Sequence, residues 1–427
     1  MKVLVIGSGG REHALVWRLA RSASVTKVYA TPGNPGMVGQ AECLPCGSLS
    51  SGELLAVAEA AGTDLTVVGP EAPLVAGVVD AFRAAGRRIF GPSQAAAQLE
   101  GSKVFTKDFL RKAGIPTARY ETVDEYQAGC AVLSRFPYPV VLKADGLAAG
   151  KGVIIAHERA EAEATLAALL RGEKVGEAGK RVVIEEYLTG EEASFIALSD
   201  GRHVLPLLPT QDHKQVHDGD TGPNTGGMGA YCDSRILTER QFGEVMDTIM
   251  EPTIARMRQQ GAPFTGFLYA GLMMTAEGPK VLEFNVRMGD PEAQPIMLRL
   301  ECDLAEVLWL ATEERLEEAR PVYTDGPSVC VVVASGGYPG EFRKGFPIAG
   351  LEAAAQEGCV VFHAGTHLGS NGLETSGGRV LGVTAAGPTL PEAIQRSYRG
   401  VSHIRFEGMH YRTDIGQKGL KRWPSVV

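Results

Sequence analysis

Residues 281–294 read V-L-E-F-N-V-R-M-G-D-P-E-A-Q and set a metal-type pair beside an anion-type group. The run 281–286 is apolar enough for a strand, and residues two apart on a strand share a face, so Glu283 and Asn285 emerge together. A hard cation accepts both oxygens. Magnesium keeps several waters and phosphate oxygens, so one carboxylate and one amide are a sufficient protein contribution, and manganese takes the same donors. Arg287 follows with a planar fork suited to phosphate or carboxylate. Opposite charges crowded in this way suit ATP chemistry; the plainer alternative is a strand ending in a polar turn with solvated charges.

Three further stretches carry chemistry. Residues 143–153, K-A-D-G-L-A-A-G-K-G-V, are not a Walker loop, because the glycine spacing is one short and Gly152 follows the lysine where Ser or Thr would hold magnesium. Strand patterns flank the loop on both sides, so it is expected to fold as a glycine-rich hairpin over a triphosphate. Backbone N–H groups around Gly150 would meet the oxygens, and Lys143 and Lys151 would add positive charge. Lys103 and Lys107 lie on a helix just upstream. The run 182–188 passes from a buried strand into a polar elbow at 189–192, where exposed backbone could read adenine and Glu192 could hold ribose hydroxyls. Residues 211–231 contain too many breakers for regular structure, yet Asp212, His213, Lys214 and Asn224 are interleaved there, which favours a functional loop over a spacer. His213 and His217 stand outside any helical pattern and are a poor zinc pair.

The elements that must position these groups begin with an alternation of short apolar strands (2–6, 27–30, 65–68, 88–90) and helical patterns. Such alternation implies a doubly wound parallel sheet whose ligands sit at the carboxyl ends of its strands. The first loop, G-S-G-G-R-E at 7–12, has Glu12 where a dinucleotide fingerprint needs glycine, and the second strand lacks an acidic end. A nucleotide-binding oxidoreductase is therefore disfavoured. The loop instead reads as a small anion cradle in which Gly9, Gly10 and Arg11 face a phosphate monoester at a helix N-terminus. A smaller unit covers about 120–190. Helices at 295–318 lead to a C-terminal unit with strands at 329–334, near 359–363 and at 379–385, and a helix from Leu390.

At 427 residues with 44% apolar content, the chain can build several cores. A net charge of −8 and the lack of basic runs argue against nucleic-acid binding. No apolar run approaches bilayer length, and an apolar strand stands at 3–6 in place of a secretory leader, so a cytoplasmic protein is expected, with no membrane contact and no obligatory protein partner. Seven cysteines, an odd number, fit reduced thiols, and the single C-x-x-C at 43–46 supports neither zinc nor redox chemistry.

These segments together resemble the phosphoribosylamine-glycine ligases, or glycinamide ribonucleotide synthetases, of the ATP-grasp superfamily, over essentially the whole length. The resemblance rests on G-S-G-G-R-E-H-A at 7–14, the 143–153 loop, D-H-K-Q at 212–215, N-T-G-G-M-G-A-Y at 224–231 and E-F-N-V-R-M-G-D-P-E-A-Q at 283–294. Met288 and Ala293 depart from the common Phe and Thr without changing charge. The resemblance implies an N-terminal doubly wound substrate-binding domain (1–102), an ATP-grasp region (103–325) with a lid at about 120–190, and a small α+β C-terminal domain (326–427). It implies ATP-dependent joining of glycine to 5-phosphoribosylamine in purine biosynthesis, through glycyl phosphate, with Mg2+ or Mn2+ on Glu283 and Asn285. Arg287 and Lys151 would act on the reacting phosphoryl group. Lys103, Lys143, Gly150, Lys151, Glu185, Glu186, Tyr187, Leu188 and Glu192 would hold ATP. Gly9, Gly10, Arg11, Asp212, Lys214, Asn224, Gly227, Met228, Arg287 and Asp290 would hold the other substrates. Another ATP-grasp carboxylate-amine ligase is the nearest alternative.

Overall fold

A computed structural model describes residues 1–147, 152–173, 176–370 and 372–423. The opening alternation folds into a five-stranded parallel sheet in the order Glu42–Cys43, Lys27–Pro32, Lys2–Gly7, Leu65–Val68, Ile89–Phe90. Val3, Leu4, Val5 and Ile6 of the central strand are fully buried, as expected where helices cover both faces of a sheet. The strand order reverses between Lys2–Gly7 and Leu65–Val68, and the loops leaving these two strands, which carry Arg11 and Glu71, meet in the crevice at that point. The two-residue strand Glu42–Cys43 is too short to have left a pattern in the sequence.

Residues 120–186 form a four-stranded antiparallel sheet in the order Tyr120–Val123, Val182–Glu186, Val140–Ala144, Val153–Ala156, with helices Tyr126–Leu133 and Arg159–Leu170 packed on it. Its core, built from residues such as Val132, Leu142, Leu166 and Ile184, is separate from the rest. The expected hairpin pairing is present, with Lys143 opposite Val153; Gly150 and Lys151 lie outside the described residues.

The largest sheet is antiparallel throughout, in the order Gly278–Asn285, Thr265–Thr275, Glu191–Asp200, Thr210–Asp212, Gly229–Cys232, Ser328–Ala334, Arg379–Ala386, Val360–His363. The stretch 211–231 is thus more regular than its composition suggests. It forms the strands Thr210–Asp212 and Gly229–Cys232 and the hairpin Gln215–His217 with Thr221–Asn224. The breakers sit where the backbone needs them: Gly219 turns the hairpin at φ 69°, and a Cβ on Gly229 would stand 2.7 Å from the Cys330 carbonyl oxygen. Arg412, fully buried, fastens this hairpin to the C-terminal segment through Asp414, Asp220 (2.9 Å) and the Gln215 carbonyl (3.0 Å).

The sheet runs unbroken across residues 325 and 326, because Gly229–Cys232 pairs with Ser328–Ala334 from Gly229 opposite Val331 to Cys232 opposite Ser328. Helix Leu390–His403 then covers Ser328–Ala334 and Arg379–Ala386. A chain ending at residue 325 would leave the strand Gly229–Cys232 as an open edge and uncover the apolar face beneath it. Such a truncation is expected to aggregate on expression; a monomeric, cooperatively unfolding product on size exclusion and urea titration would contradict this reading.

Candidate active site

The units meet around a cavity of about 540 Å³. Seven carboxylates (Glu71, Glu100, Glu185, Asp212, Glu283, Asp290, Glu292) and seven cations (Arg11, Lys103, Lys107, Lys143, Lys214, Arg287, Arg379) line it among the described residues.

At one end, helix Lys103–Ala113, capped by the Ser102 hydroxyl on the Phe105 N–H, presents Lys103 and Lys107 four apart on one face. Lys107 and Lys143 both pair with Glu185, at 3.1 and 3.0 Å. Burial pushes the Lys107 ammonium down to about 8 despite Glu185 beside it. Lys143 also donates to the Leu282 carbonyl at 2.9 Å. That carbonyl belongs to a bulge, since Gly271 opposes Glu283 while Leu272 opposes Val281, leaving Leu282 outside the ladder.

Beyond the bulge, Glu283 and Asn285 both line the cavity from the strand Gly278–Asn285, as the alternation requires. Among the described residues no side-chain hydrogen bond or ion pair engages the Glu283 carboxylate or the Asn285 amide. Burial works against the Glu283 carboxylate, but Lys214, Lys103, Lys143 and Arg287 outweigh it and hold its pKa below the usual value. An ionised carboxylate and an amide, both unengaged and facing a cavity, fit a hard divalent cation. Asp200, His203 and Glu317 also cluster at metal-ligand distance, but none lines the cavity, and Asp200 is already occupied by the backbone N–H groups of Arg202, His203 and Leu316.

Arg287 lines the same cavity. Its guanidinium meets Glu100 at 2.8 Å, Glu71 at 3.2 Å and the Met288 carbonyl at 3.3 Å. Burial opposes its charge, and Glu100 and Glu71 more than compensate, so it stays protonated. Of five N–H groups, these contacts leave one on each terminal nitrogen for a ligand oxygen. Asp212 and Lys214 project into the cavity, while His213 between them is fully buried on the other side, facing the charges of Lys418 and Arg412. Lys214 pairs with Glu192 at 2.8 Å. Burial, with Glu292, Glu192 and Glu283 nearby, pushes the Asp212 carboxyl up to about 7 although Lys214 opposes the shift.

Of the residues expected from sequence, Lys103, Lys143, Glu185, Arg11, Asp212, Lys214, Asn224, Arg287, Asp290, Glu283 and Asn285 line this one cavity. Others do not. The Gly9 N–H is taken at 2.6 Å by the Glu12 carboxylate, which fills the crevice between Gly7 and Gly69, so the first loop is not the open anion cradle expected. Gly10 is a close-packing position, where a Cβ would lie 2.6 Å from the Gln294 amide nitrogen. Met228 is fully buried against Val216 and Ala334, and its N–H and carbonyl are spent on His213 and Val332. Gly227, at φ 112°, is likewise a tight turn, where a Cβ would meet Pro291 at 2.5 Å. Glu186 accepts from the Arg119 N–H, Tyr187 is exposed, Leu188 packs beside Ala118 and Met273, and Glu192 is held by Lys214; none of the four lines the cavity.

Sequence reading missed several groups that do. Arg379, from the C-terminal unit, pairs with Asp290 at 3.2 Å and donates to the Gly226 carbonyl at 2.7 Å, while the Gly226 N–H donates to the Tyr338 hydroxyl at 3.0 Å. No local pattern marks either residue. Glu292 stands inside the 281–294 motif already singled out, Glu71 follows the strand Leu65–Val68 of the parallel sheet, and Lys107 stands beside Lys103 on its helix without a role assigned from sequence.

Comparison with known proteins accords with this geometry. Phosphoribosylglycinamide synthetase family models match the chain in three parts: the N domain at 1–100, the ATP-grasp (A) domain at 101–293 and the C domain at 328–418. The chain is 51% identical to a phosphoribosylamine-glycine ligase of Yersinia pestis, over 99% of this chain and 100% of that one, and 52% identical to one of Pseudomonas aeruginosa, over 99% of each. A solved phosphoribosylamine-glycine ligase from Thermotoga maritima superposes with a TM-score of 0.86 at 34% identity, covering 97% of this chain and all of its own. The biotin carboxylase domain of Hydrogenobacter thermophilus 2-oxoglutarate carboxylase shares the fold at 17% identity, with a TM-score of 0.73 over 99% of this chain and 94% of that one. With three domain models in register and full-length relatives at half identity, the chain belongs to the phosphoribosylglycinamide synthetase family of ATP-grasp ligases.

Proposed function

We propose that this cavity is where ATP, glycine and 5-phosphoribosylamine are brought together, and that the unengaged Glu283 and Asn285, with Arg287 in the same cavity, mark the point of phosphoryl transfer. The reaction is the ATP-dependent ligation of glycine to 5-phosphoribosylamine. A glycine carboxylate oxygen attacks the γ phosphorus and ADP leaves; the sugar amine then attacks the acyl carbon of glycyl phosphate, phosphate leaves and the amine loses a proton. No protein nucleophile is required, so the chain contributes position and charge.

Magnesium or manganese on Glu283 and Asn285 would neutralise the phosphate oxygens of ATP. Lys103 and Lys143 flank the same oxygens, with Lys151 a further candidate from the sequence. Glu185 holds Lys143 and Lys107 in place, and the backbone of the elbow beyond it would read adenine, although Glu186, Tyr187, Leu188 and Glu192 do not line the cavity. Arg287 steadies the transferred phosphoryl group with its remaining N–H groups. Arg11, Asp212, Lys214, Asn224 and Asp290 hold the phosphoribosylamine, and the hairpin between Val140–Ala144 and Val153–Ala156 keeps water from the anhydride. No helix among the described residues is long and apolar enough to cross a membrane, which accords with work in the cytosol.

Three measurements test this reading. Asn285→Leu should fold normally yet lose about 100-fold or more of kcat/KM at saturating magnesium, and near-normal turnover would remove Asn285 from the metal site. Because Asp212 carries its proton up to about pH 7, kcat/KM for phosphoribosylamine should fall as pH drops through that value and the carboxylate loses its charge. Asp212→Asn, neutral at every pH, should be slower and should lack that limb; the same limb in the variant would assign it elsewhere. Glycine labelled with oxygen-18 in its carboxylate should deliver label to the released phosphate, and unlabelled phosphate would exclude glycyl phosphate.

A further inference from the structure

The charges of the cavity do not all pair. Glu185 is matched by Lys107 and Lys143, Glu71 and Glu100 by Arg287, and Asp290 by Arg379. Among the described residues Asp212, Glu283 and Glu292 have no cation within ion-pair distance. Glu283 answers to the metal and Asp212 to the phosphoribosylamine, which leaves Glu292 without an assigned partner.

Glu292 is 3% exposed and still lines the cavity. Its Oε1 is fixed from behind: the Tyr269 hydroxyl donates to it at 2.7 Å, and the Ser194 hydroxyl lies 2.8 Å from the Tyr269 oxygen and 3.4 Å from Oε1. Its Oε2 has no hydrogen-bond partner among the described residues. Gly289 makes room for this arrangement, since a Cβ there would come within 2.3 Å of Oε2 and 2.9 Å of the Tyr269 ring. A buried carboxylate oriented by two hydroxyls, with one oxygen unengaged toward a cavity, is costly unless a cationic ligand meets it.

We infer that Glu292, held in position by Tyr269, binds the ammonium group of glycine and sets the enzyme's choice of an α-amino over an α-hydroxy carboxylate. The inference rests on the ligase reading above. Its chemical sense lies in the second half-reaction. An ammonium paired with Glu292 has no lone pair, so the amino group of glycine cannot compete with the sugar amine for the anhydride. An α-hydroxy acid of the same size would leave the carboxylate uncompensated.

The test compares wild type, Glu292→Gln and Tyr269→Phe in ADP release, with glycine, glycolate, ATP and phosphoribosylamine varied in turn. Wild type should require both glycine and phosphoribosylamine; failure of that requirement would overturn the ligase reading itself, and this inference with it. Given an active wild type, Glu292→Gln should raise KM for glycine by about 30-fold or more, leave KM for ATP within about 3-fold, and shrink the preference for glycine over glycolate, because a hydrogen bond to a charged group has been weakened. Tyr269→Phe, which removes a single oxygen, should raise KM for glycine by about 3- to 10-fold with the same selectivity for substrate. Should Glu292→Gln unfold by circular dichroism, Tyr269→Phe decides alone. A glycine KM and a glycine-to-glycolate ratio unchanged in the folded variants would overturn the assignment.

Discussion

Burying charge is expensive, and this chain buries a great deal of it around a single cavity. Two negatively charged reactants must approach each other there, so cations have to be present, and each cation has to be kept from collapsing onto the backbone or out to solvent. The solution is reciprocal pairing. Arg287 is shared by Glu71 and Glu100, which come from the N-terminal crevice and from the turn before helix Lys103–Ala113, and Glu100 also accepts the Val286 N–H at 2.8 Å. A guanidinium gripped by two units cannot rotate away, yet it keeps N–H groups for a ligand. Glu185 performs the same task for two lysines. Glu283 differs, since cations surround it without touching it, and the carboxylate stays ionised and open.

Local backbone irregularities place these groups. The bulge at Leu282 frees a carbonyl for Lys143 and falls just before Glu283, so the regular alternation from Glu283 to Asn285 survives. Alternation also divides 212–214: Asp212 and Lys214 go to the cavity, while His213 goes to the interior behind it, where burial pushes its pKa down to about 3 and keeps the ring neutral. A charged side chain at 213 would have no such compartment.

These devices explain which parts of the site were legible in the sequence. Glu283, Asn285 and Arg287 follow one another on a strand and its exit, so period-two reasoning finds them. The parallel sheet and the glycine hairpin were readable from the same alternation of apolar runs and breakers. The failures came where a residue's use is decided by a partner distant in sequence. Gly9 is the exception, since Glu12, three residues on, folds back onto its N–H; Met228, set among cavity-lining residues in sequence, packs its side chain between Val216 and Ala334. Arg379, Tyr338 and Tyr269 reach the cavity through strand pairings and loop contacts that no local pattern encodes. The short strands within 211–231 escaped notice for a related reason, because their hydrogen-bond partners lie in Glu191–Asp200 and Ser328–Ala334.

The continuity of the largest sheet gives the C-terminal unit a direct part in the site. Ser328–Ala334 hydrogen-bonds to Gly229–Cys232, and Arg379 at the start of the next strand grips the Gly226 carbonyl and the Asp290 carboxylate together. The 226–229 turn therefore has its backbone fixed from the C-terminal side, and the loop carrying Asp290 is fixed by the same guanidinium. Lys214 and Asn224, at the two ends of the segment held by Arg412, inherit their positions from these contacts. A wall built from one sheet and anchored by Arg412 on one side and Arg379 on the other is stiff, whereas residues 120–186 pack around a core of their own.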